Sequence, residues 1–346
     1  MYFLLYISIN RFKIPLVVYE SKGETMIKVS DKLNERLHTI PELPGIYKML
    51  DSHGNIIYIG KSKCLKKRVK SYFVNTPKWE KVNKLVLFID DIEYVVTDTH
   101  LEARLLECEL IKKIKPSFNS QMKHDKNYVY LKINEFNNYN SLSIVLDRED
   151  NCYGPFRKKF SMYDIIDSLK HIFPIVKTAA GFEFEYHILP ITLDRDAYEI
   201  NKTTLLELFS DVMNIKQLVK QLEFKMKEAS SCYKFETASK YRDMIEGINY
   251  LANGIFRYND MISKDILLKI PTSTGYKLFF VSKGHILNKE HFTTLSKRQI
   301  NSFIKKSKQQ TVDLSKVFDD KAGIDFRDII YSEILSLPKE CILEYI

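Results

Sequence analysis

Tyrosines and basic residues near the N-terminus are the side chains of this sequence whose types and spacing best suit chemistry. In 44-PGIYKMLDSHGNIIYIGKSKCLKKRVKSYF-73, the triplets GIY at 45–47 and YIG at 58–60 flank a turn, and six Lys or Arg then occur in twelve residues without one acid. Such a density of cations suits a polyanionic partner, although lysine-rich stretches also occur as solubilising surface.

Local sequence predicts how this stretch folds. Apolar, β-rich runs on both sides of 51-DSHGN-55 predict an antiparallel hairpin over residues 45–60, which carries both tyrosine triplets. Ser62 is suited to cap a helix, and the apolar residues after it recur at helical spacing. We therefore predict an amphipathic basic helix over 62–73.

Arg68 is unusual in that helix, because it falls in the apolar stripe with Lys61, Leu65 and Tyr72. The lysines of the opposite side are expected to face solvent: Lys63, Lys66, Lys67 and Lys70. Two interpretations stay open at this point. Either Arg68 serves a site, or it packs its stem and extends its charge to water beside a merely solvated lysine face.

Glu107 is a parallel oddity in a second predicted helix, 99-THLEARLLECELIKKIKP-116, which opens with Thr99 and Glu102 at capping-box spacing. On the helical wheel Glu107 falls in an apolar stripe, opposite a polar side made of Glu102, Glu109 and Lys113. A carboxylate there needs a cation or hydrogen-bond donors to offset its desolvation. A buried salt bridge or a bound metal would each serve.

Composition restricts the class of protein. The chain of 346 residues is 45% hydrophobic and 28% charged, which allows two or three cored domains and excludes a mostly disordered chain. The formal charge of +9 favours nucleic acid as a partner. Five dispersed cysteines without a C-x-x-C pair argue against zinc or disulfide frameworks and for a reduced, cytoplasmic setting. Residues 1–25 suit neither a membrane span nor a signal peptide, and we expect an untranslated or disordered leader before a start at Met26.

The pattern of apolar residues predicts an α+β chain. The regions expected after the leader are residues 40–122, a small antiparallel sheet flanked by helices, with a strand over 85–96; residues 123–205, a second α/β region; residues 206–255, a helical hairpin broken at 230-SSCY-233; and residues 256–346, a C-terminal α/β region. Periodicity alone makes the hairpin an ordinary antiparallel coiled coil or dimerisation element.

The order and spacing of these residues resemble the GIY-YIG nuclease domain, in the form found at the N-terminus of the UvrC excinuclease subunit. The resemblance rests on GIY, YIG, Lys61, Arg68, Tyr72, Glu107 within 105-LLECELIKKIKPSFN-119, and Asn119. It continues through 153-YGPF-156 and 172-IFP-174 and resumes over 216–248, and similar short UvrC-like endonucleases are known as Cho.

The resemblance implies a role for each site residue. In the family one divalent metal, Mg²⁺ or Mn²⁺, is held by the helix carboxylate, here Glu107. Tyr58 is expected to deprotonate the attacking water while Tyr47 orients it, with an exchange of roles allowed. Lys61 and Arg68 would lower the pKa of that phenol. Arg68 would also stabilise charge in the transition state, and Tyr72 would donate to the phosphate or to water on the metal. Asn119 would position the residues around it. The lysines expected to track the DNA backbone are Lys63, Lys66, Lys67 and Lys70.

The same resemblance concerns the hairpin and the segment before it. MKEA, FE-x-A and YRDMI resemble the UVR motif through which UvrC contacts UvrB, and the matching core residues are Phe235, Glu236, Ala238 and Arg242. UvrC holds an iron–sulfur cluster with four cysteines in the region before this motif. Because residues 179–205 contain no cysteine, no cluster is expected.

The resemblance therefore implies a metal-dependent DNA endonuclease of nucleotide excision repair, recruited by UvrB to damaged double-stranded DNA, that makes a single incision 3′ to a lesion. UvrC also has an RNase H-like nuclease and a helix-hairpin-helix pair, neither of which is evident in 256–346. The acidic residues of 311–328 are expected to be solvated loop charges rather than a second site: Asp313, Asp319, Asp320, Asp325 and Asp328. The alternatives are a free-standing structure-specific nuclease and a non-catalytic DNA- or protein-binding module.

Overall fold

The structure is a computed structural model that describes residues 2–9, 12–21, 24–27, 30–74, 80–123, 128–136, 140–309 and 320–345. The chain forms two compact units: the first contains residues 1–124, 264–317 and 325–346, and the second contains residues 125–263 and 318–324.

The N-terminal segment forms an antiparallel sheet where the sequence predicts an untranslated or disordered leader. Its strands are β1 (Tyr2–Ile9), β2 (Phe12–Ser21) and β3 (Glu24–Ile27). The start at Met26 stays a prediction.

A three-stranded antiparallel sheet carries both tyrosine triplets and confirms the predicted hairpin. The strands are β4 (Gly45–Leu50), β5 (Ile56–Ser62) and β6 (Asp91–Val96), in the order β5-β4-β6. The turn between β4 and β5 is closed by Asp51, whose Oδ1 accepts from the backbone N–H groups of His53 and Asn55 at 2.9 Å each. The register sets Tyr47 opposite Gly60.

Four helices surround this sheet: α1 (Asp31–Thr39), α2 (Leu65–Lys70), α3 (Glu80–Phe88) and α4 (His100–Ile114). The predicted cap of α4 is present, because the Thr99 hydroxyl accepts from the backbone N–H of Glu102 at 3.2 Å. α4 packs against β4 and β5, so it lies beside the hairpin.

The basic helix is shorter than predicted and is not capped by Ser62. Strand β5 continues through Ser62, which pairs with Gly45, and the Ser62 hydroxyl binds the backbone of Cys64. Pairing with β4 thus holds residues 61 and 62 extended, and α2 begins only at Leu65.

The strand predicted over 85–96 is wrong for its first part. Residues 80–88 form α3, and the strand β6 begins at Asp91. Val82, Leu85 and Val86 recur at helical spacing and pack into the core, with Leu85 buried. The apolar run belongs to two elements, which the sequence pattern merged into one.

The second unit combines two regions that the sequence separates, 123–205 and 206–255. Its strands are β7 (Val129–Ile133), β8 (Leu142–Val145), β9 (Cys152–Phe156), β10 (Val176–Thr178) and β11 (Gly181–Glu183). Its helices are α5 (Lys159–Leu169), α6 (Arg195–Leu208), α7 (Val212–Ser231), α8 (Phe235–Phe256) and α9 (Asn259–Ile262). One hydrophobic core joins β7 and α5 to the hairpin of α7 and α8, so the hairpin is packed on a partner within the chain.

The C-terminal part returns to the first unit, although the sequence treats 256–346 as a region of its own. Its strands are β12 (Asp265–Thr272), β13 (Gly275–Ser282), β14 (His285–Phe292) and β15 (Ile342–Tyr345), in the order β14-β13-β12-β15, and its helices are α10 (Lys297–Lys308) and α11 (Asp320–Ser336). α10 packs Phe303 on this sheet. Among the helices described, none has the length and apolar character needed to cross a membrane.

Candidate active site

Three tyrosines that the sequence assigns to the site meet at the face of the hairpin. The rings of Tyr47, Tyr58 and Tyr72 lie 5.9 to 6.2 Å apart between centroids in every pairing. The hydroxyls of Tyr47 and Tyr72 are hydrogen-bonded at 2.8 Å. Tyr47 is only 1% exposed, whereas Tyr58 is half-buried and lines an open cavity. Tyr58 is therefore the more accessible phenol of the two that the sequence assigns to the attacking water.

The glycines of the two triplets are required by close approaches. A Cβ atom on Gly60 would lie 2.3 Å from the Tyr47 hydroxyl oxygen, on the opposite strand. A Cβ atom on Gly45 would lie 2.2 Å from the carbonyl oxygen of Val95 on β6. The glycine of YIG thus makes room for the tyrosine of GIY, and the glycine of GIY makes room for the neighbouring strand.

Arg68 brings a cation to the tyrosines. Its Cζ lies 5.2 Å from the centroid of the Tyr72 ring, and its Nη2 is 3.4 Å from the Tyr72 hydroxyl. The residue is largely exposed, yet it lines the same cavity as Tyr58. A guanidinium held on the aromatic cluster differs from one that only extends to bulk water, and this geometry favours a site over a snorkelling side chain.

Glu107 faces the cavity from α4, with its side chain 14% exposed. Its Oε1 accepts from the backbone N–H of Lys61 at 3.0 Å, and the Lys61 Nζ is 3.9 Å from Oε2. Burial raises the pKa of the Glu107 carboxyl, and the charge and backbone N–H of Lys61 oppose that rise. Both interpretations of Glu107, a buried salt bridge and a metal ligand, keep support, because the carboxylate has a cationic neighbour and also borders a cavity.

The cavity that these groups share has a volume of about 660 Å³. Its lining includes Tyr58, Lys61, Arg68, Tyr72, Glu107 and Asn119. Six of the seven residues that the sequence assigns to catalysis or metal binding therefore border one space, and Tyr47 lies directly behind them.

The donor set of the cavity fits a hard divalent cation. Glu107 is the one carboxylate in the lining, and no group of three or more His, Cys, Asp or Glu suited to a metal occurs in the described part of the chain. Mg²⁺ is commonly bound through one or two carboxylates and keeps several waters, which a cavity of this size can accommodate. A site built on Glu107 alone would leave the other coordination positions to water and to a phosphate. The expected lack of an iron–sulfur cluster stays a prediction.

The pKa values of the tyrosines run against the expectation from sequence. Burial raises the pKa of Tyr58 above its ordinary value, and the neighbouring Tyr72 and Glu107 raise it further. Arg68 lowers it, but by less. The pKa of Tyr47 is raised as well, chiefly by its burial. The cations of this chain therefore do not by themselves make either phenol an easily ionised base.

Asn119 contacts the hairpin backbone rather than a side chain. Its Oδ1 accepts from the backbone N–H of Ile59, and its Nδ2 donates to the Ile59 carbonyl, both at 2.9 Å. Ile59 is the middle residue of YIG, so Asn119 holds the strand between Tyr58 and Gly60.

The lysines predicted to track DNA do not all face solvent equally. Lys63 and Lys67 are exposed, whereas Lys66 and Lys70 are partly buried. Lys66 also lies 4.0 Å from the carboxylate of Glu42.

Sequence reasoning missed Lys81, which lines the cavity from α3. The error follows from treating 85–96 as one strand, because residue 81 then has no predicted element. The helical spacing of Val82, Leu85 and Val86 was the available signal.

The predicted partner-binding residues lie around the start of α8. Phe235 is 63% exposed at the first position of the helix, and Glu236 and Arg242 are also exposed. Ala238 instead packs partly against the core of the second unit. Three of the four residues are thus accessible to a partner, and their role stays a prediction.

The acidic residues of 311–328 do not behave as a solvated loop cluster where they are described. Asp325 lies in α11 with its side chain 5% exposed, 2.9 Å from the Nζ of Lys112. Asp328 lies on the same helix and is partly buried. Asp313 and Asp319 lie outside the described residues, and so does the side chain of Asp320.

Comparison with known proteins gives the affiliation of the chain. Residues 43–120 match the UvrC-like GIY-YIG domain, and residues 216–251 match the UvrB/UvrC motif. The chain is 33% identical over 282 residues to UvrABC system protein C of Acetivibrio thermocellus, an alignment that covers 75% of this chain and 45% of the relative. For the same protein of Caldanaerobacter subterraneus the identity is 31% over 327 residues, with 86% and 52% covered.

The chain spans about half the length of these curated relatives. A solved GIY-YIG N-terminal endonuclease domain of UvrC from Thermotoga maritima, bound to its catalytic divalent cation magnesium, is 37% identical; all of it is covered by 27% of this chain, with a TM-score of 0.25. The chain is therefore similar to UvrABC system protein C, with a UvrC-like GIY-YIG domain matched over residues 43–120 and a UvrB/UvrC motif matched over residues 216–251.

Proposed function

We propose that this chain is a metal-dependent DNA endonuclease of nucleotide excision repair. The observation that carries the proposal is the cavity in which Glu107, Arg68 and Tyr58 border the same space. A carboxylate for a cation, a guanidinium for a phosphate and a hydroxyl for a water are the groups that phosphodiester hydrolysis needs in one place.

Glu107 is the residue that would hold the divalent cation, Mg²⁺ or Mn²⁺. When bound there, the cation would polarise the scissile phosphate and add positive charge beside the tyrosine hydroxyls. Lys61 contributes to the site through its backbone N–H, which fixes one oxygen of the carboxylate that borders the cavity.

Arg68 and the tyrosines act on the phosphate and the attacking water. Arg68 is held against Tyr72, so its guanidinium is positioned before substrate arrives and stabilises the charge that develops on the phosphate. Tyr58 is the proposed acceptor of the water proton, because it borders the cavity while Tyr47 lies behind it. Because the pKa of Tyr58 is raised, only a small fraction of it is phenolate near neutral pH, and that fraction rises with pH, which is a measurable consequence.

Recruitment and the position of the cut belong to the same proposal. The UVR motif, with Phe235 exposed at the start of α8, supports docking to UvrB. One cavity with these groups supports one incision, which we place 3′ to the lesion of damaged double-stranded DNA, as implied by the resemblance. Exposed Lys63 and Lys67 would contact the DNA backbone without reading sequence.

The test is incision of a lesion-bearing duplex, labelled at both ends, with Mg²⁺ or Mn²⁺ and with or without UvrA and UvrB. The wild-type protein should nick the damaged strand once, on the 3′ side, and Glu107→Gln should abolish the nick while it keeps DNA affinity. Glu109→Gln is the matched control, because Glu109 lies on the same helix and is exposed.

Undiminished cutting by Glu107→Gln would remove Glu107 from the metal site. A 5′ nick that survives this substitution would contradict a single site. Equal incision without UvrB would favour a free-standing structure-specific nuclease, and a protein that binds DNA but never cuts it would favour a non-catalytic binding module.

A further inference from the structure

α4, the helix that carries Glu107, has two sets of partners. It packs on β4 and β5. It is also joined by ion pairs to the C-terminal module, by which we mean the described residues of 264–345 in the first unit. The sequence places Glu102 on the polar side of this helix, yet its side chain is buried, at 9% exposed.

Ion pairs join α4 to the C-terminal module along its length. Near the start of the helix, the Oε1 of Glu102 lies 3.3 Å from the Nζ of Lys277 and 3.1 Å from the Nζ of Lys289. In the middle, the Nη1 of Arg104 lies 3.0 Å from the Oε2 of Glu333. Near its end, Lys112 pairs with the buried carboxylate of Asp325.

The central pair is held by more than one hydrogen bond. Arg104 donates through Nη1 to Glu333 and through Nη2 to the hydroxyl of Ser332, so its planar guanidinium is held at two points of α11. Its side chain is 18% exposed and that of Glu333 is 11% exposed. Removing one partner of such a buried pair leaves the other charge uncompensated, unlike the loss of a surface pair.

Arg104 and Glu107 are three residues apart on α4, which places them on neighbouring positions of one helical face. Glu107 is fixed on its other side by the backbone N–H of Lys61 on β5. The distance from this carboxylate to β5 and the cavity therefore depends on how firmly α4 is pressed onto the sheet. The ion pairs between α4 and the C-terminal module restrain that position at several points around the helix.

We propose that the ion pairs between α4 and the C-terminal module form a clamp that sets the position of Glu107, with Arg104 as its central positioning residue. This inference rests on the proposed function, because it concerns the carboxylate assigned to the metal. The C-terminal module would then help to position the metal-binding carboxylate of the nuclease site.

Mn²⁺ binding to the full-length chain, followed by electron paramagnetic resonance, tests the clamp without any need for turnover. The variants are Arg104→Gln and Glu333→Gln, each with the charge removed and the shape nearly kept. Outer partners of metal ligands typically contribute about 10–100-fold to metal affinity, and we expect a loss of about tenfold in each variant. The charge swap Arg104→Glu with Glu333→Arg should recover most of it.

The direction of the change in Mn²⁺ affinity distinguishes a clamp from a direct electrostatic effect of Arg104 on the metal. Removing the positive charge of Arg104 would strengthen Mn²⁺ binding by removing a Coulomb repulsion, whereas a displaced Glu107 would weaken it. Glu290→Gln is the matched control, because Glu290 pairs with Lys306 on the exposed surface of the same module and should leave Mn²⁺ affinity unchanged.

Unchanged or tighter Mn²⁺ binding by folded Arg104→Gln and Glu333→Gln, together with a lower melting temperature, would overturn the clamp and leave only a stabilising interface. Failure of the proposed function gives a different result, in which Glu107→Gln binds Mn²⁺ as the wild-type protein does.

Discussion

Asn119 completes the open edge of the nuclease sheet, and its replacement by alanine has a cost that can be worked out from the structure. β5 pairs with β4 on one side only. On the other side, the Ile59 N–H and carbonyl are both bound by the Asn119 side chain at 2.9 Å. The backbone N–H of Phe118 donates to the Ile57 carbonyl at 2.9 Å, so the chain around residue 119 acts as a further edge partner.

Asn119→Ala removes two of these bonds at once. Each hydrogen bond contributes about 0.5–1.5 kcal/mol, and a donor or acceptor left without a partner costs about 1–3 kcal/mol more where water cannot reach it. The adjoining cavity admits water, which limits the second cost. We therefore expect the free energy of unfolding to fall by about 2–3 kcal/mol.

Urea unfolding followed by far-ultraviolet circular dichroism measures this change. The midpoint should fall while the m-value stays the same. Asn119→Asp should be at least as destabilising, because its second oxygen would face the Ile59 carbonyl. Asn301→Ala, at an exposed position of α10, is the control and should change stability by no more than about 0.5 kcal/mol. A loss no larger than this control's in Asn119→Ala would refute the reasoning.

Three further predictions concern chemistry and recruitment. Arg68→Ala should slow incision by about 10²–10³, the usual loss for a transition-state donor, and a loss of stability with an unchanged rate per folded molecule would mean that Arg68 only packs. Because the pKa of Tyr58 is raised, its phenolate fraction grows about tenfold per pH unit up to that pKa, so the incision rate should rise across pH 6–9 and Tyr58→Phe should flatten the profile. A flat wild-type profile would exclude Tyr58 as the base. Phe235→Ala should weaken co-purification with UvrB without altering Mn²⁺ binding, whereas Phe160→Ala, at an even more exposed aromatic of α5, should not weaken co-purification; equal retention by both variants would count against the UVR contact.

Local patterns were sufficient for the elements that carry the triplets and the carboxylate. The hairpin over 45–60 follows from β-rich runs around a turn whose Asp51 closes it through its own side chain. α4 follows from a cap at Thr99 and from helical spacing, and both signals act within a few residues. Such short-range interactions are written directly in the sequence.

Local patterns failed where two elements share one apolar run or where a strand competes with a helix. Residues 85–88 are helical because Leu85 packs into the core from α3, and Ser62 stays extended because β4 pairs with it. In both places a contact distant in sequence overrides the local preference, and the first of these errors also hid Lys81 from the predicted site.

The sequence by itself determined the residue types of the site, their order and the elements on which most of them lie. Only the tertiary structure decided how their environment tunes them. Burial of Tyr58 outweighs the nearby cations and raises its pKa, because desolvation depends on all surrounding atoms and not on spacing along the chain. For the same reason Glu102, polar by its position on the wheel, is buried against the C-terminal module, since the residues that cover it lie more than 170 positions away.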